Sequence, residues 1–388
     1  MYTKKTKKLA ILGRGTAGVF AATHFLHWAK DCEVTLYHDP EIQPQAVGEG
    51  STLVFPRALY ENIKFPHEYL SQLDGTFKSG IYKTGWGDGH EFTHRFPPPH
   101  VGYHFNAVKF QNFVLSHIKD RINIVEANIT ANDVDADFVM DCSGKPSNYD
   151  DFVLTESIPV NSVYVTQCFW EYPRFHHTLT IARPYGWVFG IPLQNRCSIG
   201  YMYNNSINTL EEVKEDVKQV FKDYNLTPSD TTNSFSFKNY FKKQNITGRV
   251  AYGGNSSFFL EPLEATSIGF MDQIQRVTYD CWFNNRPVDW CNQYYTDSVK
   301  EIENVIMLHY LSGSVFDTEF WKFAKDRGES TISKAKKSNR FNEFVRNSRL
   351  FTDSQISKNK VPDYGTWSLV SFKDNLTHLN LYDKIAKL

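Results

Sequence analysis

The sequence predicts an α/β fold: a Rossmann-type dinucleotide-binding unit at the N-terminus, an added antiparallel sheet in the middle and a helical C-terminal part. Three observations carry this. Residues 9–22 read as strand, glycine-rich turn and helix. Residues 159–203 alternate and are rich in aromatic and β-branched side chains, and residues 272–345 are predominantly helical in their periodicity.

In the first unit the apolar run Leu9, Ala10, Ile11, Leu12 meets Gly13, Gly15 and Gly18, after which apolar residues resume at helical spacing. Gly13 permits a tight turn, Gly15 lets a pyrophosphate approach the backbone, and Gly18 lets helix and strand lie close. Thr16 and Ala17 open the helix, whose free N–H groups suit a negative ligand. A second apolar strand, residues 33–37, ends at His38 and Asp39, where an acidic residue is expected to meet ribose hydroxyls. Asp39 is the expected carboxylate, with His38 in the more usual slot.

Residues 46–52, including Gly48, Glu49 and Gly50, read as a small-residue loop, and Pro97-Pro98-Pro99 breaks any regular element. Residues 106–119 read as a helix, and 122–127 and 138–142 as buried strands. The second strand runs into the turn Asp141-Cys142-Ser143-Gly144. Strands at 162–170, 179–182, 187–191 and 197–203 make an antiparallel layer spanning about 155–205, followed by an amphipathic helix at 209–222. A short strand at 250–254 leads through a loop into a helix near Thr266. With no internal repeat or long linker, residues 1–330 are expected to form one module. Residues 331–388 are expected to be a short helical or irregular tail, polar after Leu350.

Lys plus Arg (42) balances Asp plus Glu (43), so nothing points to a nucleic-acid or membrane-surface partner, and Lys4, Lys5, Lys7 and Lys8 read as a solvated tail. Six cysteines without a CxxC pair fit reduced, buried thiols. With no run of membrane-spanning length and no apolar signal-peptide core, the expected location is cytoplasmic. Aromatic residues make up 15% of the chain, which fits either aromatic-walled cavities or a Phe-rich core. His90, His94, His100 and His104 are interrupted by the triple proline, so no metal site is expected.

Three separated glycine-bearing segments (Gly13–Gly18, Asp141–Gly144 and Gly253–Asn255) are what an extended dinucleotide such as FAD requires. Together they resemble the FAD-binding fold of single-component flavin monooxygenases. Gly186-Trp187-Val188-Phe189-Gly190-Ile191-Pro192 resembles the WxWxIP signature of flavin-dependent halogenases. Phe259-Leu260-Glu261-Pro262-Leu263-Glu264-Ala265-Thr266-Ser267-Ile268 resembles their FLEPLESTGI segment. Val47–Thr52 is similar to the family's GEAT loop and Phe77-Lys78-Ser79-Gly80 to its lysine segment, with echoes at Cys197–Tyr203 and Leu308-His309-Tyr310. From about residue 8 to 330 the chain resembles the tryptophan-halogenase family.

The resemblance implies FADH2 supplied by a separate flavin reductase, with O2 and a halide ion giving hypohalous acid that reaches an aromatic small-molecule substrate. It implies that Lys78 holds the hypohalous acid or forms a haloamine. Glu264 would stabilise the cationic ring intermediate, accept its proton or orient the oxidant, and Glu261 would support the loop. FAD would contact the glycine-rich segments, Ser143, Gly144, Gly254 and Leu263. Halide would bind the backbone N–H groups of Thr266 and Ser267, and Trp187 and Phe189 would wall the substrate side. The chain departs from the family at Ser267, where glycine is usual, and at Ala265, where serine is usual. A positive φ at Ser267 would cost serine more than glycine, which points the expected halide preference toward bromide or iodide. Tryptophan-specialised members carry a longer C-terminal region, so a more open site is expected. It would take electron-rich aromatics other than free tryptophan, or a partner-presented substrate. The alternative on the same fold is a flavin monooxygenase that hydroxylates or epoxidises a small molecule; a non-catalytic flavin-binding protein is a third reading.

Overall fold

The strand Lys7–Leu12 and the helix Thr16–Trp28 build the predicted N-terminal unit. The computed structural model describes residues 6–42, 48–96, 100–358 and 363–388; Lys4, Lys5, residues 46–47 and the triple proline lie outside them. Helix residues from Val19 to Phe25 are all buried, because the helix lies between the sheet and a second helical layer.

Lys7–Leu12 is central in a six-stranded sheet. The strand order is Ile246–Thr247, Val250–Tyr252, Phe138–Asp141, Lys7–Leu12, Cys32–His38, Asn123–Glu126. All pairs are parallel except the first, a hairpin. The register sets Leu12 beside both Tyr37 and Asp141, and Asp141 beside Tyr252. The glycine-bearing turns at 13–18, 142–144 and 253–254 therefore leave one edge of the sheet side by side, where parallel sheets bind their ligands. One expectation is corrected here. Asn123–Glu126 is a strand, but as the outer strand it has a neighbour on one side only, and all four residues are exposed.

The four strands expected in the middle of the chain form at Ser162–Phe169, Thr178–Arg183, Gly186–Pro192 and Arg196–Tyr203. They belong to a seven-stranded sheet that also recruits Thr227–Ser236, Gly80–Thr84 and Phe92–Arg95. Its pairs are antiparallel except Thr178–Arg183 with Gly80–Thr84. The helix Leu210–Asp223 covers one face through Val213, Val217 and Val220. It opens on a capping box in which Thr209 and Glu212 each satisfy the other's backbone N–H.

A three-stranded sheet of Gly48–Gly50, Gly102–Asn106 and Thr76–Lys78 carries Gly50 and Lys78. Residues 48–50, expected as loop, are thus a short strand, because His104–Asn106 supplies a long-range backbone partner. The C-terminal part is helical, led by Thr266–Phe283, Val288–Ser312 and Glu319–Ala335. The tail is helical, one of the two forms expected, but after Leu350 it is not simply polar. Helices Leu369–His378 and Leu381–Lys387 dock onto the body, and Tyr364, Trp367, Leu369, Phe372, Leu376 and Leu381 are buried. All six cysteines are free, and no described helix is long and apolar enough to cross a membrane.

Candidate active site

At the sheet edge each glycine of the first turn has a separate geometric reason. Gly13 has φ 99°, and a Cβ there would lie 2.4 Å from the Cys142 carbonyl oxygen. A Cβ on Gly18 would lie 1.9 Å from the Gly13 carbonyl oxygen, so strand turn and helix touch through backbone alone. Gly15 has nothing within 4 Å of its would-be Cβ, so the space a pyrophosphate needs is open in front of the helix N-terminus. Gly144, at φ 112°, faces open space in the same way. Its N–H donates to Ser256 Oγ at 2.9 Å, while Ser143 donates to Asp141 Oδ1 through N–H (3.0 Å) and hydroxyl (2.7 Å). Ala17 packs on Gly254, whose Cβ would sit 2.5 Å away, and Leu263 is fully buried. These open cradles fit an extended dinucleotide.

Two further contacts refine this end. Thr16 donates to Glu49 Oε1 at 2.9 Å, tying the glycine turn to the Gly48–Gly50 strand, and burial pushes the Glu49 carboxyl up to about 7. Asp39 sits at the expected strand end, but its carboxylate accepts from the Glu41 N–H at 2.9 Å. His38 beside it is buried, and its Nδ1 has no partner among the described residues.

Lys78 lies at the end of its strand, fully buried, with Nζ making no hydrogen bond among the described residues. It faces the Phe96 ring at 5.6 Å, and a Cβ on Gly50 would lie 3.6 Å from it. Burial drives its ammonium down to about 7, helped by Lys83 and opposed by Glu264. His104, which bonds the Thr76 and Thr178 hydroxyls at 3.0 and 2.9 Å, is pushed well below the usual histidine range by burial and by Lys78.

Glu264 is equally buried but fully engaged. It is ion-paired with Lys83, meets His94 Nδ1 at 3.1 Å and His309 Nε2 at 3.2 Å, and accepts from the Trp367 indole at 3.2 Å. Burial alone would raise its pKa; the Lys83 charge, together with the His94 bond, outweighs that and holds it well below the usual carboxylate range. Glu264 and Ala265 have φ 69° and 54°, a left-handed kink that aims the carboxylate inward before the helix from Thr266 begins. Ser267, by contrast, is an ordinary helical residue. The strain expected at 267 falls instead on 264 and 265, and the reason for expecting bromide or iodide falls with it. The Thr266 hydroxyl is buried without a partner among the described residues, at the N-terminus of an 18-residue helix.

Trp187 and Phe189 share one face of their strand, ring centroids 6.2 Å apart, as residues two apart must. The Trp187 indole donates to Glu261 Oε2 at 3.0 Å, and Tyr310 donates to the same oxygen at 2.8 Å. Burial raises Glu261 to about 8 against these bonds. Lys78 and Glu264 are both buried from solvent, with the Phe96 ring beside the lysine and the Trp367 indole beside the glutamate.

Of the four histidines considered for a metal, His94 serves Glu264 and His104 two threonines, and no cluster of metal-ligand residues occurs among the described residues. Sequence reasoning missed Lys83, Trp367 and Asn375. Lys83 had a signal: in Gly80–Thr84 it shares the buried face with Ile81. Trp367 and Asn375 had none.

Strand order, phosphate-type cradles and a buried lysine–glutamate pair define an α/β enzyme of dinucleotide-binding type. The sequence model of the tryptophan halogenase family matches residues 8–123 and 109–359, and the chain belongs to that family of flavin-dependent halogenases. It is 22% identical to tryptophan 7-halogenase RebH of Lentzea aerocolonigenes, over 83% of this chain and 79% of RebH. It is also 22% identical to 7-chloro-L-tryptophan 6-halogenase KtzR of a Kutzneria species, over 66% of this chain and 56% of KtzR. Among solved structures, the tryptophan halogenase of Shewanella frigidimarina superposes with TM-score 0.79 at 16% identity, covering 97% of this chain and 89% of that one. BrvH, a flavin-dependent halogenase from a Brevundimonas species, superposes with TM-score 0.77 at 17% identity, covering 99% and 92%. At these identities the superpositions show the shared fold.

Proposed function

We propose that this halogenase modifies an electron-rich aromatic carbon with hypohalous acid held at Lys78. Family membership supports FAD, halide and O2 as reactants, with FADH2 supplied by a separate flavin reductase and an aromatic compound as acceptor. The segments around Gly13, Gly15, Gly18, Gly48–Gly50, Ser143–Gly144 and Gly254 would hold FAD. When bound, the reduced flavin would supply the two electrons that bring dioxygen to the peroxide level, the oxidant able to turn halide into hypohalous acid. The first N–H groups of Thr266 and Ser267 would hold the halide, since a helix N-terminus favours anions.

The observation that carries the reading is the fully buried ammonium of Lys78, without a hydrogen-bond partner among the described residues and poised near neutrality. As ammonium it donates hydrogen bonds to hypohalous acid. As amine it takes the halogen, forming an N–halogen bond and releasing water. Either species needs a lysine without a competing partner, and among the described residues Lys78 is one. Glu264, ionised and surrounded by donors, stabilises the positive charge that develops on the ring. Using it as the proton acceptor would require breaking its pairing with Lys83.

The test is mass spectrometry of reactions with FAD, a generic reductase, NADH and a panel of indoles and phenols, free tryptophan included, each with chloride, bromide or iodide. Halogen mass shifts that vanish in Lys78→Ala establish the reading. A gain of oxygen independent of halide and of Lys78 moves the chain to the monooxygenase alternative.

A further inference from the structure

Five residues beyond Lys78 stands a second buried lysine. Lys83 is inaccessible to solvent, and its ammonium is enclosed by three groups: the Glu264 carboxylate, Asn375 Oδ1 at 2.6 Å and the Phe92 ring at 5.3 Å. Strand register explains the placement. Lys83 pairs with Phe92 and Ile81 with His94, so Lys83 and His94 project from one face of neighbouring strands toward the kink at Glu264. Asn375 comes from the helix Leu369–His378, nearly three hundred residues away in sequence.

We infer that Lys83 is a positioning residue that fixes Glu264 and makes the C-terminal helix part of the active site through Asn375. The inference rests on the reading that Lys78 and Glu264 form the reactive pair. The groups facing Glu264 are Lys83, His94, His309 and Trp367; Lys78 lies farther off, and Asp374 also acts on Lys83. Of these, Lys83 supplies the lasting charge. Burial lowers His309, and its Nδ1 already faces the Val305 carbonyl at 3.0 Å, so as a neutral ring it cannot also donate to Glu264. Stability does not require such a pair, since an apolar substitute of equal volume serves a core as well or better. Lys83 instead acts on the reaction twice. It keeps Glu264 in its anionic form and in one place, and its like charge disfavours the ammonium form of Lys78.

The experiment uses the full chain carrying Lys83→Met and, as a variant that keeps a donor at similar length, Lys83→Gln. The first readout is the infrared band of a protonated buried carboxyl, assigned to Glu264 by its absence in Glu264→Gln and followed with pH on the resting protein. Wild type is expected to show no such band from Glu264 at pH 5 or above, and both variants to develop it in that range. The second is the pH profile of halogenation, whose acidic limb is expected to move upward by about one pH unit or more, a change that lost packing alone would not produce. A Glu264 that stays ionised at pH 5 in both variants overturns the inference, as does an unshifted profile. The infrared titration needs no turnover. Thus, if Lys78→Ala halogenated like wild type, the reading of the site would fail while the hold of Lys83 on Glu264 was still decided.

Discussion

Replacing Lys78 by methionine should make the protein more stable while abolishing halogenation. A lysine ordinarily titrates at 10.5, and burial holds Lys78 at about 7. At about 1.4 kcal/mol per pH unit, keeping this ammonium charged in the folded chain costs up to about 5 kcal/mol. Among the described residues the Nζ makes no hydrogen bond that methionine would lose, and methionine fills nearly the same volume. The sign with pH follows from proton counts. Between about 7 and 10.5 the unfolded chain binds a proton that the folded chain does not, so wild-type stability rises over that interval. Below pH 7 both states hold the proton and the full cost is present. Lys78→Met should therefore melt above wild type at pH 6 by several degrees, at roughly 2 °C per kcal/mol, and the gap should narrow toward pH 9.5. Differential scanning calorimetry across this range is the assay. A variant that melts at or below wild type at pH 6, or a gap constant with pH, would refute the claim that Lys78 is an uncompensated buried charge.

Glu261→Gln should flatten a different slope. The Glu261 carboxyl, raised to about 8, keeps in the folded state a proton that the unfolded chain releases above about 4.5, so wild type loses stability as pH rises between them. The variant's melting temperature should change less between pH 5 and 8. Gly15→Val, with open space around the added side chain and an extended φ of −67°, should fold normally yet lose at least about tenfold in FAD affinity by fluorescence titration. Gly13→Val instead meets the Cys142 carbonyl at a φ of 99° and should lose about 1–3 kcal/mol or more of stability in urea. Ser267→Gly relieves no strain, so it should leave the ranking of halides unchanged and cost about 0.5 kcal/mol of helix stability.

Local signals carried far in this chain. The turn Gly13–Gly18, the strands around Trp187 and Cys197 and the helix from Thr266 were legible, because each rests on spacing and backbone preference within a short window; Lys78 and Glu264 were singled out only through the resemblance of their segments to a known family. What failed had long-range causes. Whether residues 123–126 are buried depends on how many strands flank them, and residues 48–50 are a strand only because residues 104–106 come alongside. The left-handed kink at 264 and 265 follows from packing that draws a carboxylate inward against the helix's own preference. The ionisation of Glu264 was the least legible of all. It is decided chiefly by Lys83 and His94, which come from two neighbouring strands far from residue 264 in sequence, and Lys83 is held in turn by Asn375. The sequence by itself determined the class of fold, since that depends on short-range pattern, and its resemblance to a family named the candidate residues for the chemistry. Only the tertiary structure decided which of them are charged, paired and enclosed, because desolvation and charge interaction depend on neighbours in space and not in sequence.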